Sequence, residues 1–379
     1  FDQLEQRLND ANKALSIKPN NADAYNNMGS ALLEQGKLEE AIEAYKKALT
    51  VKPDYAEVYY NMGVVLQDQK KQEEAIEAYN KALSIKPDYA EAYNNVGVVL
   101  QDQKKQEEAI EAYNKALSIK PDYAEAYYNM GIAFKGQNKL EDAIEAYNKA
   151  LSIKPDYAEA YNNMGIAHQE QGKLKEAIKA YKKALSIKPN YAEAYYNTGI
   201  SLKEQGKLKE AIEAYNKALT IKPDYAIAYN NMGNAFLEQG KLKEAIEAYS
   251  KALAIKPDYA DAYNNMGNAH QEQDKPEEAI EAYSKALAIK PDYEAARTAN
   301  LYQQALICNW DSIAKDVNLI PELGTSEKHV PPFALLSLED APERHLIRSR
   351  IYAKANYPQK ALPPKARPSK RPKRIRIGY

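Results

Sequence analysis

The chain of 379 residues is short of several side chains on which chemistry most often depends. A single Cys excludes a disulfide framework, and four His beside it leave little from which to assemble a zinc site. Neither a metal nor a cofactor is therefore expected. No apolar run approaches the roughly 18 residues that span a bilayer, so no membrane partner is expected either, and a cytoplasmic location is. Nothing after Phe1 has the character of a secretory leader. An excess of one charge is also missing: 52 Lys and Arg stand against 53 Asp and Glu, a net charge of −1. Apolar residues at 45% and charged residues at 28% fit a folding chain rather than a disordered one. Among the aromatics, one Trp and four Phe accompany 31 Tyr, an imbalance that average composition does not explain.

What the chain has instead is a period. Lys-Pro recurs with Pro at 19, 53, 87, 121, 155, 189, 223, 257 and 291, eight steps of 34 without a slip. Repeats of this length decide the fold. Counted from the Ala after each Pro-Asp-Tyr or its equivalent, residues 22–293 hold eight full copies, beginning at Ala22, Ala56, Ala90, Ala124, Ala158, Ala192, Ala226 and Ala260. Of the 31 Tyr, 27 fall in these copies, at positions 4, 24 and 34 and three times at position 5, which reads as repeat packing.

Each copy reads as two antiparallel helices. Asp54 and Glu57 stand at the spacing of a capping box, as do Asp88 and Glu91. Tyr25, Met28, Gly29 and Leu32 then form an i, i+3, i+4, i+7 stripe. Gly36, Gly172, Gly206 and Gly240 sit where the first helix should stop. Leu38, Ala41, Ile42, Tyr45, Ala48 and Leu49 mark the inward side of a second helix, which Pro53 ends. The Tyr, Gly, Ala, Tyr, Ala and Pro positions resemble the tetratricopeptide repeat pattern. That resemblance implies an all-α, right-handed superhelical solenoid, since one helix pair cannot bury its apolar face alone. Residues 1–21 read as the second helix of a preceding copy, with Ala14, Leu15 and Pro19 in phase.

Positions 2, 6, 9 and 13 fall on the first-helix face opposite the apolar stripe. Position 6 is Asn throughout: Asn27, Asn61, Asn95, Asn129, Asn163, Asn197, Asn231 and Asn265. Positions 2 and 13 are acidic except at Ile227 and Gly136. In the resembled family this face lines the concave side, and an Asn amide can hold a client backbone through both its N–H and its C=O groups. With each hydrogen bond worth about 0.5–1.5 kcal/mol net, such a ladder predicts micromolar-class binding of an extended polypeptide. A second reading stays open, in which the Asn residues brace adjacent helices. His168 and His270 occupy position 11, where the other copies carry Leu or Phe, and read as core-edge variants.

After Tyr293 the period decays. Residues 294–379 carry a net +7, which leaves 1–293 at −8, and from Lys354 onward nine basic residues meet no acidic one. Residues 294–353 are expected to form a helical cap and linker, and 354–379 a basic, Pro-rich tail ending at a strand start. Cys308-Asn309-Trp310, Pro332-Phe333-Ala334-Leu335-Leu336, Asp340-Ala341-Pro342 and the closing Arg374-Ile375-Arg376-Ile377-Gly378-Tyr379 resemble the segment that precedes the catalytic part of bacterial proteins similar to O-linked N-acetylglucosamine transferase. The resemblance implies that the catalytic domain would begin where this sequence stops, and no catalytic residue is assigned, His329 included. The tail reads as a solvated linker, with an anionic surface or the acidic groove as alternatives; it lacks the aromatic interleaving expected for nucleic acid. The expected function is a scaffold for protein or peptide clients, serving substrate recognition in such a transferase. The alternative is a self-associating solenoid, in which the acidic body of one copy meets the basic end of the next.

Overall fold

Helices of 13 and 14 residues alternate along the chain, separated by a tight turn and by the Lys-Pro stop. The computed structural model describes residues 2–325, 330–336 and 338–356, and every regular element among them is helical. The chain divides into two compact units, Phe1–Lys207 and Leu208–Tyr379, taken in turn below.

The N-terminal unit opens with α1 (Asp2–Ile17), in phase with the second helix of a repeat. Five helix pairs follow: α2 (Ala22–Glu34) with α3 (Leu38–Val51), α4 (Ala56–Asp68) with α5 (Gln72–Ile85), α6 (Ala90–Asp102) with α7 (Gln106–Ile119), α8 (Ala124–Gly136) with α9 (Leu140–Ile153), and α10 (Ala158–Glu170) with α11 (Leu174–Ile187). The unit closes on α12 (Ala192–Glu204). The second helices bury Ala41, Tyr45 and Ala48 and their equivalents completely, as the 3.6-residue stripe predicts.

The first helices bury more than the expected stripe. Its position 8 is buried, as are Leu32, Leu66, Met130 and Leu202 at positions 7 and 11, while positions 3 and 10, represented by Ala92 and Val99, are buried as well and the position-4 Tyr residues are half-buried. Each first helix is covered from more than one side, so small residues line it where backbones approach. Gly97 shows why position 8 is Gly: an added Cβ would stand 2.5 Å from Cε1 of Tyr113.

The capping boxes do not form. Helix α4 begins one residue later than the Asp54–Glu57 spacing requires, with Tyr55 at the N-cap and no side-chain cap bond. The ring of Tyr55 lies under Lys52, 4.2 Å from the ammonium, and its hydroxyl donates to Asp23 at 2.8 Å. Packing of this Tyr sets the helix start, leaving Asp54 outside. Among the described first helices of this unit, α2 alone starts on a side-chain cap of the expected kind, Asn21 accepting from the Ala24 N–H.

Position 15 adopts a left-handed backbone in every repeat where it is described. Gly36 and Gly172 meet it with no steric cost, whereas Lys70, Lys104 and Asn138 adopt the same φ near 60°.

The C-terminal unit contains α13 (Leu208–Ile221), the pairs α14 (Ala226–Glu238) with α15 (Leu242–Ile255) and α16 (Ala260–Glu272) with α17 (Pro276–Ile289), then α18 (Glu294–Leu306), α19 (Trp310–Asp316) and α20 (Pro342–Asn356). Helix α18 has the length of a first helix, and the residue fifteenth from its start, Cys308, has φ +56°. The repeat geometry therefore runs on beyond Tyr293. Its second helix is shortened to α19, which Asn309 caps by accepting from the Ser312 N–H. The Cys-Asn-Trp string is thus a turn and a cap, with Trp310 more than half exposed.

Below it, Leu301, Ile313, Ile320, Leu323, Val330 and Leu335 form a separate core around a fully buried Arg348. Arg348 donates to the carbonyls of Leu323 and Ile320, both at 2.7 Å, and pairs with Glu339, which Arg344 also holds at 2.7 Å. Burial opposes ionisation of Glu339, but the two guanidinium groups outweigh it and keep its pKa below the ordinary carboxylate range. His329 and the tail from residue 357 lie outside the described residues.

Candidate functional site

The asparagine row occupies one face of the first helices, half-buried at every repeat except the first, where Asn27 is exposed in a recess with Arg7 and Asp23. Its geometry rests on the residue beside it. Position 5 alternates between Asn and Tyr up to Asn230, with Asn again at Asn264, and the position-6 amide donates across to position 5 of the repeat before. Asn61 donates to Asn26 Oδ1 at 3.1 Å, Asn129 to Asn94 at 3.0 Å, Asn197 to Asn162 at 3.0 Å and Asn265 to Asn230 at 3.1 Å. Where position 5 is Tyr, its hydroxyl accepts instead: Asn163 donates to Tyr128 at 2.8 Å, and Asn95 to Tyr60 at 3.2 Å. Asn231 is engaged as well.

Within each unit these bonds tie a first helix to its predecessor. Asn95 is the most committed, donating also to the Tyr79 hydroxyl at 3.4 Å and accepting from Asn94 at 3.3 Å. At Asn129 and Asn163 one amide hydrogen bond is used, and an amide with two donors and a carbonyl keeps further capacity. Position 5 was the missed partner. Its alternation of Asn-Asn with Tyr-Asn is plain in the sequence once a 35-residue offset is considered.

Beside the amides runs a half-buried aliphatic row, Val64, Val98, Ile132, Ile166 and Ile200. The two acidic edges differ. At position 2, Glu91, Glu125 and Glu159 face their own repeat's Lys120, Lys154 and Lys188 at 3.3, 3.7 and 2.9 Å. Partial burial works against the charge on Glu159, but the bond from Lys188 prevails and lowers its pKa. Those same lysines sit over Tyr123, Tyr157 and Tyr191, so the position-2 edge is neutralised from within. At position 13, Asp68, Asp102, Glu170 and Glu204 are exposed, and among the described residues only Glu204 of these meets a hydrogen-bond donor, Gln169. The exposed negative charge of the face is therefore carried by position 13.

Behind this face, the position-24 tyrosines are fully buried and send their hydroxyls toward it. Tyr79, Tyr113 and Tyr181 donate to Gln67, Gln101 and Gln169 at 2.9, 3.2 and 3.0 Å. In the C-terminal unit Tyr249 and Tyr283 donate to Asn234 and Asn268, both at 2.8 Å, and these polar residues replace the aliphatic row there. His168 and His270 are half-buried, each with a buried Nδ1 that has no partner among the described residues, and burial lowers both pKa values. No His, Cys, Asp or Glu cluster among the described residues has the makings of a metal site. None of the described helices is long and apolar enough to cross a membrane.

Stacked helix pairs that expose a shared amide-and-aliphatic face define a helical repeat protein of the scaffold type. Sequence profiles described as TPR repeat match residues 29–70, 133–172, 169–206, 199–240 and 233–274. Profiles described as tetratricopeptide repeat match 54–122, 260–293, 11–43 and 112–145, so residues 11–293 are covered without a gap. The chain belongs to the tetratricopeptide repeat family. No curated protein matches it. Among solved structures, it is similar to the Cut9–Hcn1 hetero-tetramer of APC/C, with TM-score 0.52 and 18% identity over 74% of this chain; it spans 55% of that chain. It is also similar to MamA, with TM-score 0.41 and 30% identity over 43% of this chain and 95% of that one. YrrB, described as a TPR protein with an unusual peptide-binding site, matches at TM-score 0.43 and 28% identity, over 50% of this chain and 98% of YrrB.

Proposed function

We propose that the chain is a protein-interaction scaffold whose N-terminal unit holds an extended polypeptide along positions 6, 9 and 13 of its first helices. The observation that carries this reading is the parallel run of Asn129 and Asn163 beside Ile132 and Ile166, with Glu170 and Glu204 exposed along one edge. Amides with unused capacity take client backbone, the aliphatic row takes alternate side chains, and the carboxylates take Lys or Arg. The Asn residues then serve twice, as braces and as ligands. Clients are segments that mix apolar and basic residues.

A finer role is that such segments carry the hydroxyls of a glycosyltransferase substrate. It is supported by the resemblance of residues 308–353 to a linker that precedes a transferase lobe.

The test is selection from a displayed library of random peptides, followed by fluorescence anisotropy of the hits. Affinity should fall at least about tenfold in Ile132→Asp and in the double variant Asn129→Ala, Asn163→Ala, with thermal melts as the folding control. Unchanged affinity in both sinks the reading. Hits that bind as expected but lack Ser and Thr count against the finer role alone.

A further inference from the structure

One second helix breaks the charge pattern of the array. At position 22 the other seven repeats carry Glu, and α11 carries Lys179. Position 26 is Lys in all eight, and in four of the repeats the two form an i, i+4 ion pair: Glu77–Lys81 at 3.2 Å, Glu145–Lys149 at 2.9 Å, Glu247–Lys251 at 2.7 Å and Glu281–Lys285 at 2.6 Å. In α11 the pair becomes Lys179 and Lys183, a like-charge pair that disfavours the helix. Lys175 and Lys182 lie on the same face, and all four lysines are exposed, with no ion pair among the described residues. They surround a shallow concavity floored by the half-buried Ile178 and closed by Ser186.

We infer that this outer face of α11 is a docking site for an acidic segment of a partner protein, with one apolar side chain seated on Ile178 between the lysines. The surface lies on a second helix, away from the amide row, and does not depend on the reading given above.

Three features select this occupant. The cationic zone is one helix wide and about 12 Å long, two turns of α-helix. It is flanked by α9, whose exposed Glu141 and Asp142 would repel any broad anion such as a bilayer or a duplex. Glu141 reaches the turn before α11, where it accepts from Gln171 at 2.8 Å, so the acidic border is close. An apolar floor suits a protein side chain, and no aromatic ring lies in the patch on which a base would stack. A charge reversal that weakens its own helix, placed around an apolar floor, is what a site for an acidic ligand requires.

The decisive variant restores the pattern of the other repeats. Lys179→Glu re-creates the ion pair with Lys183 and should raise the melting temperature slightly while abolishing docking. The probe is a fluorescein-labelled peptide of repeating Glu-Glu-Leu, followed by anisotropy with the full chain at low salt. Binding should weaken about tenfold or more in Lys179→Glu and in Lys182→Glu, and should stay within about twofold in the control Lys149→Gln. Replacing Leu by Ser in the peptide should weaken binding by several-fold, reporting the seat on Ile178. The inference is overturned by absence of peptide binding, or by binding that Lys179→Glu leaves intact. It is equally overturned if Lys179→Glu abolishes binding only to vesicles containing phosphatidylserine, only to single-stranded oligonucleotide, or only to a second copy of the chain in sedimentation velocity.

Discussion

Replacing Tyr147 by Phe should leave the chain as stable as before or more so, whereas Tyr79→Phe should destabilise it. The two residues hold the same repeat position, and both rings are fully buried. They differ at the hydroxyl. Tyr79 donates to Gln67 and accepts from Asn95, while the Tyr147 hydroxyl is buried with no partner among the described residues. The cause is local: position 12 of that repeat is Lys135 rather than Gln, and position 9 is Ile132, so no acceptor stands within reach. Burial raises the pKa of Tyr147, with Tyr128 and Glu170 adding to the shift, so the hydroxyl keeps its proton and stays an unused donor.

An unsatisfied buried hydroxyl costs about 1–3 kcal/mol, and removing it returns that amount. Removing the Tyr79 hydroxyl breaks two hydrogen bonds and costs about 1–2 kcal/mol. The two variants should therefore differ by about 2 kcal/mol or more. Because repeat arrays open locally, amide hydrogen exchange across α8 and α9 against α4 and α5 is the assay, with urea unfolding as a global check. Lys135→Gln should capture the same stabilisation by supplying the missing acceptor. If Tyr147→Phe destabilises as much as Tyr79→Phe, the hydroxyl has a partner and the reasoning is wrong.

Other outcomes follow from the same geometry. Gly97→Ala and Gly165→Ala place a Cβ 2.5 and 2.4 Å from the rings of Tyr113 and Tyr181, and each should cost about 2–3 kcal/mol in urea unfolding, as overpacking does. Lys70→Gly and Lys104→Gly relieve left-handed backbone at φ +60° and +62° and should each raise stability by about 1 kcal/mol. For His168 and His270 burial is the leading cause of a lowered pKa, so the unfolded chain takes up a proton first. Their contribution to stability is complete above about pH 6.5 and is lost as pH falls through the lower folded values. Melting curves of His168→Leu with His270→Leu should accordingly decline less across that interval than those of the unaltered chain.

Much of this molecule was legible because its code is local and repeated. Pro53 and its equivalents end helices by chemistry that needs no neighbour, and the 34-residue period fixes the helix pairs. The capping box failed because Tyr55 is held by Lys52 and Asp23, contacts that exist only once the turn has closed. The buried face is wider than the stripe because each first helix packs on more than one side, which a single-helix projection does not contain. Asn129 is legible as one of an in-phase row, but its partner Asn94 lies 35 residues back, and only the stacked structure brings them together. Lys179 stood in the sequence all along, hidden by the regularity around it.

The brace between repeats has a consequence for the length of the array. A position-6 amide needs an acceptor behind it, and either an Asn carbonyl or a Tyr hydroxyl will do. Residues 63–89 and 97–123 are identical, so recombination between them would excise one repeat in frame. Asn129 would then face Tyr60 and bond to it as Asn163 now bonds to Tyr128. No amide would be orphaned by the exchange. The joint between repeats behaves as a universal coupling, and the number of copies can drift by whole repeats without any compensating change elsewhere in the chain.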